Sequence, residues 1–254
     1  MSYIDYKGTR LFMVLGGFFI ANALIAEFMG VKIFSLEQSF GLNPVNWNIL
    51  GEQLSLNLTA GVLLWPVVFV LSDLINEYYG PKGVRFLTNG AIILIIYAFL
   101  MIYAAISLSP AAWWTGSNAT NGVPDMQLAY KAIFGQGLWI IIGSVVAFLI
   151  GQVLDVYIFH YIKKKTGEKY LWLRTTGSTL VSQLIDSFVV LYIAFGIGSD
   201  WTASMILSVG ILNYIYKFSV AILLTPVLYW IHYAIDNYLG TEIADKLKED
   251  AMRK

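Results

Sequence analysis

The chain has 254 residues, 58% of them hydrophobic and only 13% charged, with a formal net charge of zero. A soluble domain carries about 25% charged residues, so the apolar excess here has to face lipid or protein; no broad basic face of the kind nucleic acid needs is present. Cysteine is absent, which excludes disulfides, thiolate metal sites and cysteine nucleophiles, and His160 and His232 alone cannot make a histidine metal cluster.

A bilayer core about 30 Å thick needs about 20 apolar residues per helix. The apolar runs predict six such helices, over approximately 11–35, 56–79, 87–109, 133–162, 177–198 and 204–233. No linker divides them. The expected fold class is therefore all-α: a polytopic membrane protein forming one domain over 1–254, a compact bundle of six transmembrane helices. The first run is too long for a signal-peptide core and lacks an A-x-A-like site, so it reads as a retained helix. Asn43-Pro44 and Gly51 mark an irregular first outer connection, and Trp113 and Trp114 suit a water interface.

Orientation follows from Lys and Arg. With the N-terminus inside, the inner segments hold Lys7, Arg10, Lys82, Arg85, Lys163, Lys164, Lys165, Lys169, Arg174, Lys246, Lys248, Arg253 and Lys254, and the outer segments hold Lys131. That asymmetry predicts N-in, C-in. The tail from Gly240 reads as a short surface helix with little functional content.

An ionisable residue inside a span is costly and needs a partner or a purpose. In helix one, Asn22 is deep enough to face the bundle, while Glu27 and Lys32 lie nearer the outer end, where Lys32 can snorkel to water. In helix two, Trp65, Phe69, Asp73 and Glu77 are spaced by four and share a face. In helix four, Gly143, Ala147, Gly151 and Asp155 share a face of small residues that permits close helix approach; Gln152 lies three before Asp155. In helix five, Ser178, Ser182 and Asp186 share a face, and Gln183 again precedes the acid by three. Interhelical polar bonding is the structural alternative for both Gln-x-x-Asp pairs. In helix six, Lys217 is too deep to snorkel and suits a partner such as Asp155 or Asp186. The bland readings are an interfacial histidine for His160 and a topology signal for Lys163–Lys165.

Carboxylates, amides, one lysine and aromatics in a membrane pocket suit a small planar polar molecule. A carboxylate accepts two hydrogen bonds from a 2-aminopyrimidinone edge, an amide or lysine donates to a ring carbonyl, and Phe69 or Tyr157 can stack on a ring. Transport is the natural use of such a site. The sequence contains no HExxH, GxSxG or Walker A pattern.

Four blocks, SDLINEYYGPKGVR, GQVLDVYIFHYIKK, LWLRTTGSTLVSQLID and YIYKFSVAILLTP, occur in an order that closely resembles the queuosine precursor transporter family, also known as the vitamin uptake transporter family. The resemblance covers most of the chain. It implies an inner-membrane protein of six helices, not an enzyme and without a cofactor, that imports 7-deazaguanines such as preQ0 and preQ1 for tRNA modification. By motif, Asp73, Asn76 and Glu77 match the family's helix-two signature, Gln152 and Asp155 its helix-four block, Arg174, Gln183 and Asp186 its helix-five block, and Lys217 its last helix. The substrate candidates are then Asp155, Asp186, Gln152, Gln183, Lys217, Phe69, Asn22 and Tyr157. Asp155 or Asp186 would take the donor edge, and Gln152, Gln183 or Lys217 the carbonyl. Asp73, Asn76, Glu77, Arg85 and Arg174 lie near the inner surface and suit a gate or charge network. The competing reading is a carrier or binding subunit for another vitamin or nucleobase. A third, an intramembrane enzyme using Asp73 and Glu77 as acid and base, lacks an activator for the electrophile.

Overall fold

The computed structural model describes residues 3–135, 137–167 and 169–253. Helix α1 runs Tyr3–Met29 and stops earlier than its apolar pattern, because Gly30 releases the chain into strand β1 (Ile33–Ser35). Lys32 therefore lies outside the helix and is exposed.

The first connection is ordered rather than irregular. Strand β1 is followed by the short α2 (Leu36–Ser39), β2 (Trp47–Ile49), β3 (Glu52–Leu54) and β4 (Asn57–Thr59); β1 pairs antiparallel with β4, and β2 with β3. These ribbons are an addition to the expected all-α architecture. Leu50 (φ 51°) and Gly51 (φ 90°) make the two-residue β2–β3 turn, whose left-handed backbone matches the strand twist and accounts for the glycine. Burial would raise the pKa of Glu37, but the Leu56 N–H (2.7 Å) and the Ser35 hydroxyl (3.0 Å) donate to its carboxylate and hold it below the usual range.

Helix α3 spans Trp65–Ser107, 43 residues, with a break at Gly80 (φ 69°). A straight helix of that length would reach about 64 Å, twice a bilayer core. Instead the chain doubles back: Gly83 packs on Tyr79 and on Ile75, which a straight helix would hold about 12 Å away. Glycine supplies the left-handed residue that ends the first leg, and Pro81 opens the second, where its missing N–H costs nothing. Residues 65–79 run antiparallel to α1, with Tyr79 bonded to the Gly8 carbonyl. Residues 81–107 run alongside α1 in the same direction, Phe86 meeting Phe12 and Phe99 meeting Phe28.

Short α4 (Ala112–Thr115) and α5 (Met126–Phe134) precede α6 (Leu138–Thr166). Helix α7 (Leu171–Leu191) continues into a wider π-helical turn, Tyr192–Ile197, and α8 (Ala203–Leu239) is followed by α9 (Thr241–Arg253). Among the described residues, five segments are long and apolar enough to cross a membrane, the one at Trp65–Ser107 being the doubled helix.

The start of α1 and helix α9 sit at one end of the bundle, where Gly8 packs on Leu247. The ribbons lie at the other, where Ser208 bonds the Ile49 carbonyl and Ser204 the Glu52 carboxylate. The core joins Leu15, Phe19 and Ala23 of α1 to Val68, Leu74 and Ile75 of α3 and Phe148 of α6. Side chains such as Phe18, Phe86, Ile93, Leu100, Leu223 and Trp230 are exposed along the shafts, an apolar surface of the kind that lipid covers. Helix α9 is more than a surface appendage: Ile243 and Ala244 are buried in the core cluster.

A buried polar centre between α3, α6, α7 and α8

The helix-two acids divide by depth. Glu77 is fully buried and receives both forks of Arg174, Nη2 to Oε1 at 2.9 Å and Nε to Oε2 at 3.2 Å. Lys163 Nζ adds a 2.9 Å contact to Oε1 and is itself only 1% exposed. Arg174 also donates to the Gly167 carbonyl at 2.9 Å, so the end of α6 and the start of α7 are tied to α3 through one carboxylate. Asn76 Oδ1 lies 2.8 Å from His160 Nε2. Spacing did not single out Lys163 from its basic run; the signal was its place four residues past Phe159 on the buried stripe of α6. Arg85 is exposed and stands outside this network.

One turn farther from the termini, Asp73 and Asp155 are buried on either side of one hydroxyl. Thr179 Oγ1 lies between them, 3.2 Å from Asp73 Oδ2 and 3.4 Å from Asp155 Oδ1. Ser182 reaches Asp155 Oδ1 at 3.3 Å. The close approach of α6 and α7 that brings these groups together follows from the small face of α6. A Cβ on Gly143 would stand 3.1 Å from the Val190 carbonyl.

Asp186 pairs with Lys217 at 2.6 Å, its side chain 15% exposed. Gly151 leaves room for it: a Cβ there would meet Asp186 Cβ at 3.5 Å and Phe69 Cζ at 3.6 Å. Gln183, 3% exposed, has no partner for either its amide oxygen or its nitrogen. Asp73, Thr179, Gln183 and Lys217 line a single cavity of about 20 Å³, room for about one water. Gln152 faces the other way. It accepts from Ser72 at 2.7 Å, its amide nitrogen is unpartnered, and it lines a crevice of about 390 Å³ between the second leg of α3 and α6.

The geometry thus gathers Asp73, Asp155, Asp186, Gln183, Lys217 and Phe69 into one centre. Tyr157 is 69% exposed on the crevice wall beside Arg85 and His160, and Asn22 donates to the Phe18 carbonyl of its own helix at 2.8 Å; neither joins the centre. Glu27 is buried and accepts from Ser144 of α6 at 2.9 Å, rather than lying at the surface. Sequence reasoning also missed a relay near the termini. Tyr78 donates to Asp236 at 2.7 Å and lies 2.9 Å from His232 Nδ1, while Lys248 of α9 holds Asp236 at 3.0 Å. Because the tyrosine has one hydrogen, the histidine nitrogen is the donor to its oxygen.

Apolar shafts around a closed polar centre define a polytopic helical membrane protein of the carrier type. The family model described as "Putative vitamin uptake transporter" matches residues 59–231. A "Probable queuosine precursor transporter" of Bacillus subtilis (strain 168) is 33% identical over 181 residues, 70% of this chain and 73% of that protein. The "Queuosine precursor transporter" of Escherichia coli (strain K12) is 26% identical over 79% of this chain and 82% of its own length. A third such relative, from Haemophilus influenzae, is 25% identical over 67% of this chain and 66% of its own. No solved structure matches. The chain belongs to the vitamin uptake transporter family, the family of the queuosine precursor transporters. The relatives are named as transporters and not as enzymes.

Proposed function

We propose that this chain imports queuosine precursors, 7-deazaguanines such as preQ0 and preQ1, across the cytoplasmic membrane. It does so as a single domain with six crossings and both termini in the cytoplasm. The observation that carries the reading is Gln183: a buried amide with both ends unpartnered costs about 1–3 kcal/mol per group, a cost that a bound ligand removes. The amide offers an acceptor and a donor to the pyrimidinone edge. Asp186 accepts from that edge, Lys217 turns from Asp186 to the ring carbonyl, and Phe69 lies against the bicycle. Neither of the two acids the sequence offered for the donor edge lines the cavity itself, and Asp186 is the better placed because it holds Lys217, which does.

A cavity of about 20 Å³ admits no bicyclic ligand, so the centre is closed in this conformation, and binding separates α7 and α8 from α3. The bundle opens toward the termini at a vestibule of about 900 Å³ lined by Arg174, His232, Asp236 and Lys248. The Glu77–Arg174–Lys163 network lies between that vestibule and the cavity and acts as the inner gate.

Uptake of radiolabelled preQ0 and preQ1 into proteoliposomes holding this chain alone tests the reading. Asp186→Ala abolishes uptake with normal insertion. Gln183→Ala raises KM by roughly tenfold, as the loss of a buried ligand hydrogen bond predicts. Absence of wild-type uptake, or unimpaired uptake with both Asp155 and Asp186 changed to Ala, overturns it.

A further inference from the structure

The Asp73–Asp155 pair has a shortage of donors that the rest of the centre does not share. The two carboxyls face the same Thr179 hydroxyl, both are buried, and one oxygen of each, Asp73 Oδ1 and Asp155 Oδ2, has no donor among the described residues. Thr179 has one hydroxyl hydrogen for two acceptors. The Ser182 hydroxyl is divided between Asp155 at 3.3 Å and the Thr179 carbonyl at 3.1 Å, and that of Ser178 goes to the Thr175 carbonyl at 3.0 Å.

The charged and titratable groups around the pair are committed elsewhere. On α3, Glu77 is one turn away and is held by Arg174 of α7 and Lys163 of α6. On α6, His160 is bonded to Asn76. Between α7 and α8, Asp186 holds Lys217. Among the described residues no Lys, Arg or His makes an ion pair with Asp73 or Asp155. Two buried carboxylates on either side of one hydroxyl, without a cation, cannot both stay ionised in a medium of low dielectric. Metal coordination is the weaker alternative, because no third acid or histidine joins the two among the described residues.

We propose that Asp73 and Asp155 share one transferable proton, and that this proton enters the cell with the imported ligand. The proton binds a carboxylate oxygen of the pair from the outer side and leaves to water on the inner side, so one positive charge crosses with each neutral ligand. The link to the ligand is local. Asp73 and Thr179 line the cavity that holds Gln183, and Gln183 is one helical turn from Thr179. Separating α7 from α3 to admit a ligand pulls Thr179, the hydroxyl between the two acids, away from Asp73. This coupling rests on the import reading above.

The test uses the full chain in proteoliposomes with the membrane potential clamped at zero and preQ0, a neutral probe. For one proton per ligand, an outside-acid gradient accumulates preQ0 roughly tenfold per pH unit. In Asp73→Asn and Asp155→Asn the ratio falls to one. Infrared spectroscopy of the ligand-free protein decides the pair independently. The wild type shows a protonated-carboxyl C=O band that both substitutions remove. If preQ0 does not enter at all, the import reading fails, while the infrared band still reports on the shared proton. The proposal is overturned by a wild-type ratio indifferent to the gradient, by accumulation driven by inside-acid or by sodium gradients, by gradient-driven accumulation in Asp73→Asn, or by absence of the band.

Discussion

Glu77 is a single carboxylate satisfying two buried cations from two other helices. Removing one partner of a buried pair typically costs about 3–5 kcal/mol, because the remaining charge stays buried. Glu77→Gln keeps the volume and some hydrogen bonding but leaves Arg174 and Lys163 facing one another. We expect a lower melting temperature. We also expect preQ1 uptake to slow by roughly tenfold, about 1.4 kcal/mol on the barrier, with affinity held within about twofold. Equilibrium binding and initial uptake rates measured on the same preparation separate the two. A large loss of affinity with an unchanged maximal rate would move Glu77 from the gate to the ligand. Much of this was legible at the residue scale: four-residue spacing put Asp73 and Glu77 on one face, and the basic asymmetry put Glu77 near the inner surface with Arg174. Spacing could not tell that Asp73 turns toward Asp155, or that one lysine of three is buried, since both depend on how α6 rotates against α3. The choice of Asp186 as the partner of Lys217 was open for the same reason: both acids lie on faces one step from α8.

At the scale of elements, Gly80 fixes the hairpin that sets Asp73 and Glu77 against α6 and α7. Its φ is 69°, and a Cβ there would lie 2.7 Å from the Ala251 carbonyl of α9. Gly80→Ala therefore meets a backbone penalty of about 1–3 kcal/mol and pushes α9 away. The expected result is a lower thermal midpoint and faster proteolysis within 241–253, both read on purified protein. An unchanged midpoint would mean that the turn relaxes without cost. The Gly-Pro stop was readable because its chemistry is local. The burial of α9 was not, because a charged 13-residue helix with one apolar stripe looks the same whether it floats or docks. The β-ribbons escaped for a related reason: strands of three residues carry too little alternation to register, and their pairing is made by contacts from Ile33 to Thr59.

For the molecule as a whole, the packing of Gly8 on Leu247 puts the start of α1 and helix α9 at one end, which requires an even number of crossings. The five long segments among the described residues satisfy this only if the doubled α3 counts twice, which is the arrangement of six crossings that we propose. Lys7, Lys82, Arg85, Lys163 and Arg174 then gather at the end with the termini, and Lys32 and Lys131 at the other. In the orientation we propose, the richer end lies in the cytoplasm, as the positive-inside rule expects. The absence of cysteine makes this direct to test, since any thiol introduced is the sole one. Ser117 and Lys165 are both exposed, the first in the connection before α5 and the second at the end of α6. In intact cells Ser117→Cys reacts with a membrane-impermeant maleimide, and Lys165→Cys reacts only after permeabilisation. The opposite pattern inverts the bundle. It would place the Glu77 network at the entrance rather than the exit, and the proton of the Asp73–Asp155 pair would then leave on the side where the ligand is taken up.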